Sequence, residues 1–316
     1  MKMKNVFVIN TSLVLLLMTA CSALKSAPAQ PAPTQTAVVQ PATGVQSLFV
    51  TNRLMIPTTP AQTESFALNV DGDSKQQPDN MFGDLLTMLA SATQGVELQA
   101  SLDQVITTGQ LVSLHVVKAD DLLNDPSVSW SLFLGEKTQF TPNFDGSDKF
   151  TVDSTASTDS PIVGSIANGH FTGGPGTSQA QIFLLGQLVE VDLIGVRLEV
   201  DLSAKGCTNG KLGGGVTVEE FRGKLLPAIA EGLNQIIKAD KGAENTLLKV
   251  FDSDNNGTIT TQEIETNPLL MIAASPDLDL LDASGQFHPN QDGVKDSYSM
   301  GLGFTCVPAT FTAPGN

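Results

Sequence analysis

Apolar and polar residues alternate in short runs along the first two thirds of the chain. The segments VELQASL (96–102) and SVSWSLFLG (127–135) follow a two-residue period. QLVSLHVV (110–117) and QIFLLGQLVEVDLIGVRLEVDL (181–202) are rich in Val, Ile and Leu and keep it in part. Runs of this kind predict strands with one face buried. Between them lie turn-forming pieces: LNDPS (123–127), TPNFDGSD (141–148) and NGHFTGGPGTS (168–178). Short strands so punctuated predict an antiparallel sandwich or barrel, and a sandwich-like domain is the expectation carried forward. One helix is expected among them, over 79–91, where Met81, Phe82, Leu85, Leu86 and Leu89 form one stripe.

The period changes after Cys207. In TVEEFRGKLLPAIAEGLNQIIKA (217–239), Val218, Phe221, Leu225, Ile229, Leu233 and Ile236 recur at steps of three and four, so a helix is predicted. Thr217 and Glu220 fit a capping box at its start. Pro227, with Gly223 one turn earlier, predicts a kink or break inside it. A second helix is expected over AENTLLKVF (243–251), with Leu247, Leu248, Val250 and Phe251 as its stripe. The last forty residues return to loop and strand. The expected architecture is therefore mainly β with an α insertion (α+β). It is a single β-rich domain over 47–316, carrying a helical insertion over 216–274.

The second helix runs directly into FDSDNNGTITTQE (251–263). Its residues follow the EF-hand calcium loop, which asks for oxygen ligands at positions 1, 3, 5, 7, 9 and 12 and a glycine at 6. Asp252, Asp254 and Asn256 fill the first three places, and Gly257 takes the turn. Thr258 offers a carbonyl, Thr260 a site for a bridging water, and Glu263 two carboxylate oxygens. Ca²⁺ prefers about seven oxygens at ~2.3–2.6 Å, which alternate positions of a tight loop can direct at one point. Mg²⁺ is less suited, because it asks for tighter octahedral geometry. A single complete loop predicts weak binding, near ~10⁻⁴–10⁻³ M, in the range of extracellular modules. Two further acidic segments are weaker candidates. HPNQDGVKD (288–296) resembles part of a thrombospondin type 3 calcium repeat through Asn290, Asp292, Gly293 and Asp296, with His288 where an aspartate belongs. NVDGDSKQQPDN (69–80) holds Asp71, Asp73 and Asp79 without a loop glycine, and a solvated acidic turn is the reading preferred there.

The N-terminus reads as a targeting segment. Two lysines precede an apolar run and then small residues, too short and wrongly flanked for a stable membrane-spanning helix. It ends in LMTAC, which resembles the lipobox of bacterial lipoproteins, with Cys21 the residue that would carry the lipid. The other reading is an ordinary signal peptide with a chance cysteine. Ser22 after that cysteine implies sorting to the outer membrane in the Gram-negative pattern. Residues 1–20 would then be the signal peptide, and 21–46, dominated by Pro, Ala, Thr and Gln, a flexible tether. The remaining two cysteines, Cys207 and Cys306, are expected to form a disulfide in an oxidising compartment, or else to stay as buried thiols.

Of 316 residues, 33 are acidic and 17 basic, a formal net charge of −16. That argues against nucleic acid and anionic membrane surfaces as electrostatic partners, and suits cations or plain solubility. At 41% hydrophobic residues the chain can bury a core. Lipobox, Pro-rich tether, acidic DGD…DN before a helix, GKLGGG before a long helix, the calcium loop and a closing DG…DSYSMGLGF together resemble a group of bacterial EF-hand lipoproteins of no known activity. The resemblance implies location and metal, not chemistry.

No nucleophile elbow, Walker loop or zinc spacing is present. His115 sits in an apolar strand pattern and reads as structural. One Trp and one Tyr are few for a sugar-stacking platform. The expected function is a non-catalytic, exported, calcium-binding lipoprotein of the bacterial outer membrane, held to the membrane by its lipid and facing an unknown envelope or extracellular partner. The alternative is a calcium-dependent extracytoplasmic hydrolase whose carboxylates meet only in the fold.

Overall fold

A computed structural model describes residues 44–75, 77–93, 97–156, 161–273 and 275–313. Eight antiparallel strands, each paired to the next, close on themselves because the first also pairs with the last. They are β1 (Val45–Met55), β2 (Ser113–Ala119), β3 (Asp125–Leu134), β4 (Ile162–Ala167), β5 (His170–Leu184), β6 (Gln187–Ser203), β7 (Gly206–Thr217) and β8 (Ser297–Pro308). The chain is thus mostly antiparallel sheet with a few helices. The expected sandwich is replaced by a closed barrel: β1 bonds β2 on one side and β8 on the other, so no pair of strands is left to split the sheet in two. β1 starts two residues before the expected domain boundary at 47.

An eight-stranded barrel is just wide enough for its own side chains to fill. Along β6, Val191, Leu193, Val196, Leu198, Val200 and Leu202 are buried, while Glu190 and Asp192 face solvent. β2 is buried along most of its length on both faces. Val117 belongs to the main core, whereas Leu114 and Val116 pack outward with Phe133, Phe150 and Phe311.

Three helices fill the β1–β2 connection: α1 (Pro60–Phe66), α2 (Met81–Ala92) and α3 (Leu98–Thr107). The expected helix at 79–91 is α2. The segment 96–102, expected as a strand, is instead the start of α3. Its Leu98 and Leu102 satisfy a two-residue and a four-residue period alike, and Ile106 one turn later extends only the helical one. The piece at 168–178, expected as a turn, is strand from His170 onward, and the glycines of 206–215 lie within β7. They are thin on purpose of packing: a Cβ on Gly215 would lie 2.3 Å from Leu280, and one on Gly301 of β8 would lie 2.6 Å from the main-chain oxygen of Phe66.

Between β7 and β8 the chain is helical again. Val218–Glu220 is α4, Phe221–Leu225 is a π-turn, and Leu226–Ala239 is α5. The kink expected from Gly223 and Pro227 takes this form. Proline has no N–H to give and its ring clashes with the carbonyl four residues back, so the helix widens there by one residue. Half of the expected capping box forms: the Thr217 hydroxyl accepts from Glu220 N–H (3.2 Å), while the Glu220 carboxylate turns to Lys224 (2.8 Å). α6 (Lys241–Phe251), α7 (Thr261–Thr266) and α8 (Pro268–Ala273) follow. No helix among the described residues is long and apolar enough to cross a membrane. Cys207 and Cys306, directly opposite on β7 and β8, form a disulfide that brackets the helical insertion (Cα–Cα 4.8 Å).

His115 is buried among Trp130, Phe304 and Thr51. Trp130 Nε1–H donates to its Nδ1 (3.2 Å), so Nε2 carries the proton and donates to Thr51 Oγ1 (2.7 Å). Burial lowers its pKa from 6.5 to about 3. The unfolded chain takes up a proton below 6.5 that the folded chain refuses until about 3, so stability is lost as pH falls through that window. We expect the stability difference between wild type and His115→Phe to shrink by about 1.4 kcal/mol per pH unit from pH 6 to pH 4, measured by urea unfolding. A pH-independent difference would show that His115 titrates normally.

Candidate metal centre

The twelve residues 252–263, which run from the end of α6 into the first turn of α7, form a loop whose polar groups fold back on it. Asp252, the first residue past α6, is 8% exposed, and its Oδ1 and Oδ2 accept from Asn256 N–H (3.1 Å) and Gly257 N–H (2.8 Å). Asp254 Oδ1 accepts from Asn256 N–H (3.0 Å). Glu263, 7% exposed in the first turn of α7, spans the loop. Its Oε1 accepts from Ser253 N–H (2.7 Å) and its Oε2 from Thr260 N–H (2.9 Å). With the Thr260 hydroxyl accepting from Glu263 N–H, a capping box starts α7. Asn255 and Gly257 adopt positive φ, 59° and 83°, which bends the chain back on itself. Around Gly257 there is open space, so its requirement is backbone conformation and not room.

Oxygens of Asp252, Asp254 and Glu263 lie within 4.8 Å of one another. Two oxygens on opposite sides of a cation with ~2.3–2.6 Å bonds are separated by about that much. The donor set is all oxygen and carries three carboxylates, which fits a hard divalent cation and not a soft one. Hydrogen bonds, that from Thr260 N–H foremost, hold the Glu263 carboxyl down at about 2, so it is ionised at neutral pH. The other three expected positions are less converged. The Asn256 side-chain oxygen accepts from Thr258 N–H (2.8 Å), the Thr260 hydroxyl is engaged with Glu263, and Thr258 is exposed. Cys21, with the signal and nearly all of the tether, lies outside the described residues.

Two asparagines outside the loop hold it in place. On α5, Asn234 faces Ile259, the buried residue at the centre of the loop. Its Nδ2 donates to Ile259 C=O (2.6 Å) and its Oδ1 accepts from Ile259 N–H (2.9 Å), so the amide pairs with one residue's backbone as a neighbouring strand would. Nδ2 also donates to Ala230 C=O (2.9 Å), which fixes the orientation of the amide. Buried Asn267, after α7, donates to Val250 C=O of α6 (2.6 Å) and so ties the exit of the loop to its entry. Beneath, Leu233, Leu247, Phe251, Ile259 and Ile264 join the main core. Asn234 gives no sign of this in the sequence, where it is one polar residue on a helix 25 positions from its partner. Asn267 had a signal in the Asn-Pro pair that closes α7.

No protein-family model, no curated protein and no solved structure matches the chain.

Asn234→Ala leaves the backbone of Ile259 unpaired in a buried place. We expect it to cost about 1–3 kcal/mol of stability and to weaken divalent-cation binding roughly tenfold, since 1.4 kcal/mol is a factor of ten. Thermal unfolding and calorimetric titration check both; unchanged affinity would show that the loop holds its shape without Asn234.

Proposed function

We propose that the protein is an exported calcium-binding lipoprotein of the bacterial outer membrane, non-catalytic, in which Ca²⁺ in an EF-hand loop braces the helical insertion against the barrel. The observation that carries this reading is the meeting of the Asp252, Asp254 and Glu263 oxygens within 4.8 Å, between two helices, in a loop whose spacing is that of the EF-hand. Three like charges at that separation repel, and a divalent cation removes the repulsion. Ca²⁺ is preferred to Mg²⁺ for the number of oxygens on offer. Export and anchoring through Cys21 rest on the targeting segment and the lipobox. The membrane would be reached through the lipid, and the partner would be an envelope or extracellular component, not nucleic acid. With Kd near ~10⁻⁴–10⁻³ M, 10 mM Ca²⁺ adds about 1.4–2.7 kcal/mol, a rise in Tm of a few degrees. Glu263→Gln should abolish that rise, and a melting temperature indifferent to Ca²⁺ up to ~10 mM would refute the reading. Cys21→Ser should release the protein from membranes; unchanged partitioning would remove the lipid from the account.

One observation favours a hydrolase as a second reading. A cleft of about 580 Å³ beside α1 and α2 is lined by four carboxylates, Glu64, Asp79, Asp84 and Asp277. Burial first, then the negative charge of Asp71, lifts Asp79 to about 7, where a carboxyl can deliver a proton at neutral pH. Asp277, also partly buried, is shifted upward by desolvation. No aromatic side chain lines the cleft. Glycoside and ester hydrolysis assayed with wild type and Asp79→Asn separates the readings: turnover lost in the variant establishes the hydrolase, and no turnover in either chain favours the non-catalytic protein.

A further inference from the structure

Asp279 is the least settled buried polar group among the described residues. It is 2% exposed, and its Oδ1 is the buried side-chain nitrogen or oxygen that lacks a hydrogen-bond partner among the described residues. No lysine, arginine or histidine forms an ion pair with it there. A buried carboxylate oxygen without a donor or a cation costs several kcal/mol by usual magnitudes, so such atoms mark missing ligands.

The carboxylate is directed at one turn. Its Oδ2 accepts from Gly293 N–H (2.6 Å), and the main-chain carbonyl of the same residue accepts from Asn290 N–H (2.9 Å). The carboxylate thus sits on the 290–293 turn, which carries the Asn290 amide and the exposed carboxylate of Asp292. Across from it stands buried Asp71, whose main-chain oxygen accepts from Asn290 Nδ2 (3.0 Å).

The arrangement repeats two contacts of the 252–263 loop. There Gly257, at φ 83°, donates to the first aspartate, and Thr258 N–H donates to Asn256 at 2.8 Å. Here Gly293, at φ 75°, donates to Asp279, and Val294 N–H donates to Asp292 at 2.8 Å. The residue that the sequence puts in the first place, His288, turns away to Asp282 (3.7 Å) and is mostly exposed. The missing first aspartate is supplied from nine positions earlier in the chain.

We propose that Asp279 Oδ1 and Asp292, on the 290–293 turn, form a second binding site for a hard divalent cation, Ca²⁺ in an exported protein. The site has fewer carboxylates than the first and binds more weakly. It would staple the segment carrying Asp279 and Leu280 to the turn and to the Asp71 loop, outside β7.

Calcium binding by the full chain, followed by equilibrium dialysis, tests this with Glu263→Gln as background, so that the first loop is silenced. We expect the Glu263→Gln chain to retain one ion per chain, and that ion to be weakened at least tenfold by Asp292→Asn or by Asp279→Asn. Asp292 is exposed, so its substitution leaves folding intact; circular dichroism confirms this for both variants. A Glu263→Gln chain that binds no ion, or whose ion is untouched by both substitutions, overturns the proposal. Wild type binding a single ion that survives Glu263→Gln but not Asp292→Asn would support this site while removing the first.

Discussion

Three carboxylates held within 4.8 Å of one another are the constraint around which the helical insertion is arranged. Such a cluster is unfavourable by itself, and the loop answers with backbone N–H donors on every carboxylate: Asn256 and Gly257 on Asp252, Asn256 on Asp254, Ser253 and Thr260 on Glu263. These donors orient the oxygens inward. They do not neutralise them. Asp252 caps the end of α6 and Glu263 lies in the first turn of α7, so the cluster links the two helices.

The same chemical device docks both helical segments on their supports. An asparagine amide offers one donor and one acceptor at the spacing of a peptide group. Asn234 pairs in this way with Ile259, and Asn80 pairs with Gly301 of β8, giving Nδ2–H to its carbonyl (3.1 Å) and accepting its N–H (2.8 Å). The glycines of β7 and β8 complete the arrangement. Without side chains at 215 and 301, Leu280 and the end of α1 approach the strands closely enough to cover them. Covering layers thus meet the barrel at points where the sequence has given up bulk.

How far this could be read beforehand follows from the range of each interaction. The loop was legible because its ligands are local: twelve consecutive residues hold the spacing. Strands β2, β3 and β6 and the end of β5 were legible from alternation, and α2 and α5 from their stripes. Segment 96–102 misled because Leu98 and Leu102 fit both periods. β7 was missed because its glycines carry no pattern of burial, although they face Leu68, Val70 and Leu280. Barrel closure depends on β1 meeting β8 some 250 residues later, and the Asn234–Ile259 pair and the unpartnered Asp279 oxygen exist only as contacts. No periodicity encodes them.

The central claim is that a divalent ion at the 252–263 loop rigidifies the helical insertion and not the barrel. Amide hydrogen exchange, resolved by residue, measures this most directly. The account predicts that Ca²⁺ slows exchange over α6, the loop and α7, with Ile259 among the most protected, while β2, β3 and β6 exchange as in chelator. Equal exchange of the insertion with and without Ca²⁺, or slowing spread evenly over the whole barrel, would contradict it.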